Sequence, residues 1–375
     1  MKVGLIFGTR PEGIKVAPVY HELKNQGIEV KVIVTGQHKE MLNQVLTLFN
    51  IIPDYNLEIM KHGQNLSELT GRLILKIDEI IKKERFSYVL VQGDTTSAFV
   101  GALVSFYNNT PVGHIEAGLR TGNIYSPFPE EANRKLIGNV ADIHFAPTIV
   151  NVKNLLRENY SKEKILEVGN TVIDALKWVK NNKNNDIEEI QKKYGLQDKK
   201  YILLTMHRRE NWGKPMEEIL KAIKDYLNQR NDFYLVFPMH LNPLIREITN
   251  KILYDFDRKI LLEPLEYLEF VAVMDKAHYI MTDSGGIQEE APSLGKPVLV
   301  LRDTTERPEA IEAGTAKLVG TDYNNILKYM RLLEGKLYQE MAKSNNPYGD
   351  GYTSKRIVEY LKNIKKWGKY KWKIL

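Results

Sequence analysis

At two points in the first half of the chain, carboxylates follow the ends of short apolar runs, and a third acidic segment comes after them. Gln92-Gly93-Asp94-Thr95-Thr96 follows one run, His114-Ile115-Glu116-Ala117-Gly118 follows another, and Pro129-Glu130-Glu131 comes soon after. An aspartate at a strand end serves equally well as a helix N-cap, so Asp94 alone decides little. Carboxylates gathered at one place push their pKa values apart, which lets one donate a proton while another accepts it. The three segments together point to acid–base catalysis.

Other segments have the chemistry to hold an anion. Gly8-Thr9-Arg10-Pro11-Glu12-Gly13, with Lys15 close behind, puts a glycine at a strand end and cations at the start of a helix, where the helix dipole also favours negative charge. Thr205-Met206-His207-Arg208-Arg209-Glu210-Asn211 sets a histidine beside two arginines at another strand end. In Thr282-Asp283-Ser284-Gly285-Gly286-Ile287-Gln288-Glu289-Glu290, a strand turns into a helix through small residues. Ser284, Gly285 and Gly286 can aim backbone N–H groups at a diphosphate, and Glu290 can reach ribose hydroxyls. Arg307 offers a further charged contact. The chain has neither a GxGxxG nor a Walker A segment, so neither NAD nor ATP hydrolysis is indicated. With no HExxH pattern, no metal is expected. Asp255-Phe256-Asp257 matches the acidic motif of metal-using glycosyltransferases but sits where a solvated turn belongs.

These residues need strands to carry them. Val3–Phe7, Val30–Thr35, Tyr88–Gln92, Val112–Ile115 and Ile143–Phe145 read as strands, with helices near Ile14–Asn25, His38–Phe49, Leu69–Lys83 and Thr96–Asn108. A second series comprises Tyr201–Met206, Tyr234–Pro238, Ile260–Leu262, Tyr279–Thr282 and Val298–Leu301. Apolar strands alternating with helices predict an α/β chain of two doubly wound parallel sheets, whose strand ends open onto a cleft between the domains. The expected domains are 1–168, carrying the carboxylates, and 169–355, with the join near Gly169. A helix and tail at 356–375 follow.

The chain has 375 residues, which is long for a single core. Its 53 basic and 47 acidic residues leave +6, too small and too dispersed a surplus to indicate nucleic acid. The terminal KKWGKYKWKIL reads as a helix end and solvated tail. With no cysteine, no cleavable leader and no run of ~18 apolar residues, the expectation is a cytoplasmic protein without a membrane partner.

Beyond these separate signals, FGTRPE with Lys15, QGDTTS, GHIEAGLRTG, YSPFPEEANR, GNTVIDAL, HRREN, TDSGGIQEEAPSLGKPVLVLRDTTERPEA and NPYGDG run in the order of one family from residue 1 to about 360. The chain closely resembles the non-hydrolysing UDP-N-acetylglucosamine 2-epimerases. The resemblance implies a GT-B fold of two Rossmann-like domains, a last helix crossing back to the first domain, a homodimer and no cofactor. It also implies reversible epimerisation of UDP-GlcNAc to UDP-ManNAc through 2-acetamidoglucal, supplying cell-surface polysaccharide synthesis.

Carried over residue by residue, it makes Asp94, Glu116 and Glu130 the catalytic carboxylates and His207 the essential histidine. Arg10, Lys15, Phe270, Ser284, Gly285, Gly286, Glu290 and Arg307 become ligand contacts. Leu265 departs from a glutamine that some members use near uridine. Gln37, Arg208 and His240 match positions lining an activator site in some members, where Glu40 and Gly63 depart from a glutamine and an arginine. A glycosyltransferase using the same donor would share the Ser284–Gly286 turn without needing three carboxylates. A hydrolysing epimerase would release UDP and free ManNAc, and a nucleotide-sugar sensor would show no turnover.

Overall fold

A computed structural model describes residues 1–36, 39–60 and 63–367, except the side chains of 39 and 364–367. It divides into two compact units. The first comprises Met1–Ala175 together with the chain from Tyr348 onward, and the second is Leu176–Pro347. The first division lies within the helix Thr171–Asn182, past Gly169, and the second unit ends at Pro347, before residue 355. Hydrogen bonds explain the shift. Asn170 N donates to Tyr348 O at 2.7 Å, and the Asp174 carboxylate accepts from Ser354 N at 2.7 Å, so both segments belong with the first sheet.

That first sheet contains β1 (Lys2–Phe7), β2 (Glu29–Val34), β3 (Tyr55–Asn56), β4 (Tyr88–Gln92), β5 (Val112–Ile115), β6 (Ile143–Ala146) and β7 (Ile165–Glu167). The strands lie in the order β3-β2-β1-β4-β5-β6-β7, all parallel. In the second unit, β8 (Lys200–Thr205), β9 (Phe233–Pro238), β10 (Lys259–Leu262), β11 (Tyr279–Thr282), β12 (Val298–Val300) and β13 (Ala316–Leu318) form another parallel sheet. Its order is β10-β9-β8-β11-β12-β13. Each is a Rossmann-like, doubly wound sheet, and the chain has the GT-B type of fold.

The central strands are buried along their length because helices cover both faces, which is why they read as unbroken apolar runs. The sheet edges were less visible. β3, β7 and β13 are two or three residues long and add no apolar run that stands out. The first helix starts at Arg10, four residues before the apolar periodicity begins, because Thr9 and Glu12 form a capping box. The polar NNKNND segment joins the helices Thr171–Asn182 and Asn184–Lys193 around Lys183. Among the described residues, no helix is long and apolar enough to cross a membrane.

Candidate active site

In a doubly wound sheet, the chain leaves a central strand on opposite sides in its two halves, and a crevice opens where the order reverses. In the first unit that point lies between β1 and β4, where Ile6 pairs with Val91. The Gly8–Lys15 segment leaves β1 there, and the Gly93–Thr95 turn leaves β4. Gly8 is required by close packing: a Cβ there would sit 2.1 Å from Thr35 Oγ1 and 2.6 Å from Ser97 Oγ. The buried Glu12 carboxylate ties the two turns together by accepting from Gly8 N at 2.9 Å, Thr9 N at 2.8 Å and the Thr95 hydroxyl. Burial raises its pKa, and these hydrogen bonds oppose the rise.

Asp94 and Glu116 follow the neighbouring strands β4 and β5 beside the same crevice. Glu116 follows β5 with a left-handed backbone (φ 66°), a conformation costly for a residue with a side chain and common at functional sites. Its carboxylate pairs with the Lys15 ammonium, accepts from the Gln92 amide, and lies 3.2 Å from Asn170 Nδ2. Asp94 is not the cap of the next helix. Thr95 is, its hydroxyl accepting from Ala98 N, while the Asp94 carboxylate receives Arg134 Nε at 2.8 Å. Arg134 also reaches Glu131 Oε2 at 2.8 Å, and Asn133 Nδ2 donates to Asp94 O at 2.8 Å.

Glu131 is fully buried and structural, accepting from Thr121 N and Gly122 N as well. Glu130 is the half-buried first residue of the helix Glu130–Val140, and its carboxylate has no hydrogen-bond or ion-pair partner among the described residues. His114 Nε2 lies 2.7 Å from Gly93 O and so holds the β4 turn against β5; burial lowers its pKa to about 4. Arg10 begins the first helix.

In the second unit the order reverses between β8 and β11. Thr205 pairs with Thr282 at the strand ends, so the His207 loop and the Ser284 turn emerge side by side. Ser284 caps the helix Gly285–Glu290, and a Cβ on Gly286 would meet nothing nearer than Ser284 Oγ at 4.0 Å. That leaves the backbone open to a ligand. The buried Glu290 carboxylate accepts from Tyr267 Oη at 2.9 Å. Arg307 pairs with the buried Glu289 and lies against Gly285. Phe270 is half-buried on the helix Tyr267–Lys276, just after Leu265.

Arg208 lies 3.7 Å from Glu306, exposed His240 accepts from Asn242 N at 3.1 Å, and no hydrogen bond among the described residues links Arg208 to His240. Gln37 lies outside the described residues. Glu40 is exposed at the start of a helix, and Gly63 has open space around it. Asp255 pairs with Lys224 at 2.5 Å while Phe256 joins the core, the arrangement of a surface turn.

Four polar residues of these sites were quoted in motifs without an assigned role: Gln92, Arg134, Asn170 and Asp283. Asp283 adjoins Ser284 and Asn170 follows Gly169, whereas Gln92 and Arg134 only share a motif with Asp94 and Glu130, and that proximity was the only signal in the sequence.

The family model described as UDP-N-acetylglucosamine 2-epimerase matches residues 21–362. The chain belongs to the UDP-N-acetylglucosamine 2-epimerase family. It is 53% identical to the enzyme of that name from Escherichia coli K12 over 371 residues, covering 97% of this chain and 99% of the relative. Among solved structures, the UDP-GlcNAc 2-epimerase of Neisseria meningitidis bound to UDP-GlcNAc is similar with a TM-score of 0.85 and 48% identity, over 97% of this chain and all of that one. A putative UDP-N-acetylglucosamine 2-epimerase from Listeria monocytogenes gives a TM-score of 0.90 and 46% identity, over 98% and 97% of the two chains. As a member of the epimerase family, the chain is an isomerase.

Proposed function

We propose that this epimerase interconverts UDP-GlcNAc and UDP-ManNAc by eliminating UDP and adding it back, releasing no free sugar. The observation that carries the proposal is the cluster at the first crevice, where Glu116 with Lys15, Gln92 and Asn170 accompanies Asp94 with Arg134. Glu130 stands at the head of the next helix. The N. meningitidis relative's bound UDP-GlcNAc supports the choice of substrate.

Chemistry narrows the route. The C2 hydrogen of the sugar is not beside a carbonyl of the ring, so direct deprotonation is very costly. As the C1–O bond breaks, positive charge at C1 makes that hydrogen removable by a carboxylate, giving 2-acetamidoglucal and UDP. UDP then adds back at C1, and C2 receives a proton on its opposite face. In this reading, the backbone of Ser284, Gly285 and Gly286, with Arg10, Lys15 and His207, stabilises the departing diphosphate. Glu290 holds the ribose, Arg307 and Phe270 complete the nucleotide contacts, and Asp94, Glu116 and Glu130 share the proton transfers.

Proton NMR of the purified protein with UDP-GlcNAc in D2O tests the proposal. Solvent deuterium should enter C2 with every turnover, and traces of UDP and 2-acetamidoglucal should accumulate. Epimerisation that keeps the original C2 hydrogen would refute it.

A further inference from the structure

β8 and β11 run side by side, and the hydroxyls of Thr205 and Thr282 at their ends are 2.6 Å apart. Asp283 therefore emerges directly beside His207, although 75 other residues separate them in sequence. Asp283 is fully buried, yet its carboxylate accepts from His207 N at 3.0 Å, Arg208 N at 2.9 Å and Asn211 Nδ2 at 3.1 Å. A fourth contact runs 3.1 Å to His207 Nδ1. Burial would raise the carboxyl's pKa, but the His207 and backbone hydrogen bonds prevail and hold it below the usual aspartate value.

Three of these donors shape the loop, and the fourth selects a tautomer. An ionised carboxylate only accepts hydrogen bonds, so the His207 nitrogen facing it, Nδ1, must carry hydrogen. Nε2 is then the nitrogen left to act, and nothing among the described residues hydrogen-bonds to it. The ring is 46% exposed, so packing alone does not fix its orientation.

We propose that Asp283 is a positioning residue for the epimerisation, holding His207 with Nδ1–H inward and Nε2 presented to the diphosphate. Nε2 takes a proton from solvent and donates it in a hydrogen bond to the departing phosphate oxygen. The buried carboxylate compensates the imidazolium charge, and no proton is consumed over the cycle. This rests on the role of His207 proposed above.

Asp283→Asn separates shape from charge. The two backbone N–H groups would hold the new carbonyl oxygen and turn the amide NH2 toward Nδ1, so Nδ1 could no longer carry hydrogen and the ring could not become the compensated imidazolium. Its kcat should fall by about 100-fold or more with UDP binding retained. The double variant Asp283→Asn/His207→Asn should be no slower than His207→Asn alone, because Asp283 acts through His207. Losses that add in full would overturn the proposal. A slow His207→Asn beside a fast Asp283→Asn would sink this proposal and spare the role of His207, whereas a fully active His207→Asn would sink both. If Asp283→Asn does not fold, 15N NMR of the parent protein decides. Hydrogen on His207 Nδ1 supports the inference, and hydrogen on Nε2 alone overturns it.

Discussion

Asp94 and Glu116 are both paired with cations, but the two pairings differ in what a substitution would leave behind. Arg134 is nine-tenths buried and lies between Asp94 and Glu131, at 2.7 and 2.8 Å. Removing the charge of Asp94 therefore leaves Arg134 one buried partner, so the fold keeps its compensation. Lys15 pairs with Glu116, and neutralising Glu116 would take that negative charge from a partly buried ammonium, which is costly. Asp94→Asn is thus the cleaner probe of catalysis. It should reduce the epimerisation rate by roughly 10²–10⁴-fold, the usual worth of a proton-transferring group, while UDP affinity measured by calorimetry is kept. A rate within a few-fold of the parent would remove Asp94 from the chemistry.

Neighbouring elements are coupled by residues that no periodicity announces. Glu12 belongs to the first helix, yet its carboxylate also takes the hydroxyl of Thr95, the cap of the helix after β4. His114 on β5 pairs in register with His144 on β6. Both are buried, and His144 has no hydrogen bond to either ring nitrogen among the described residues. Burial is the main cause that pushes their pKa values down, to about 4 and about 3. In the unfolded chain both would titrate near ~6.5. Below that pH the unfolded chain binds protons that the folded chain refuses. Their contribution to stability is therefore full above ~6.5 and shrinks as the pH falls toward the folded values. Urea unfolding at pH 7 and pH 5 should show lower stability at pH 5, and His144→Phe should make the difference smaller. Equal stability of the parent at the two values would contradict the assignment.

Over the whole molecule, the first unit is discontinuous in sequence. Its seven-stranded sheet is complete by β7, but the helix Thr353–Trp367 buries Ile357, Val358 and Leu361, and Tyr360 packs edge-on against Phe145 of β6. Asp174 anchors the start of that helix through Ser354 N and Oγ, at 2.7 and 2.6 Å. The first unit thus waits for residues that follow the whole of the second. Ile357→Ala should cost about 2–5 kcal/mol, the range for a buried isoleucine reduced to alanine. Hydrogen exchange should locate the loss: peptides of the first unit should lose protection, while those of 176–347 keep theirs. Uniform loss across both units would show that they do not unfold separately.

The sequence by itself determined the α/β class, most central strands and the placement of the candidate carboxylate and small-residue turns at strand ends. Buried parallel strands must be apolar throughout, and ligand-binding turns must use small and charged residues, so both leave local marks. The motifs around Asp94, Glu116 and Ser284 were legible for the same reason. What only the tertiary structure decided are relations between distant residues. That Lys15 faces Glu116, that Arg134 rather than a helix N-terminus claims Asp94, and that Asp283 faces His207 all depend on strand order. The sheets put β1 beside β4 and β8 beside β11, and no local pattern encodes that adjacency. The short edge strands and the division within Thr171–Asn182 escaped notice because pairing and long-range hydrogen bonds, not apolar runs, define them.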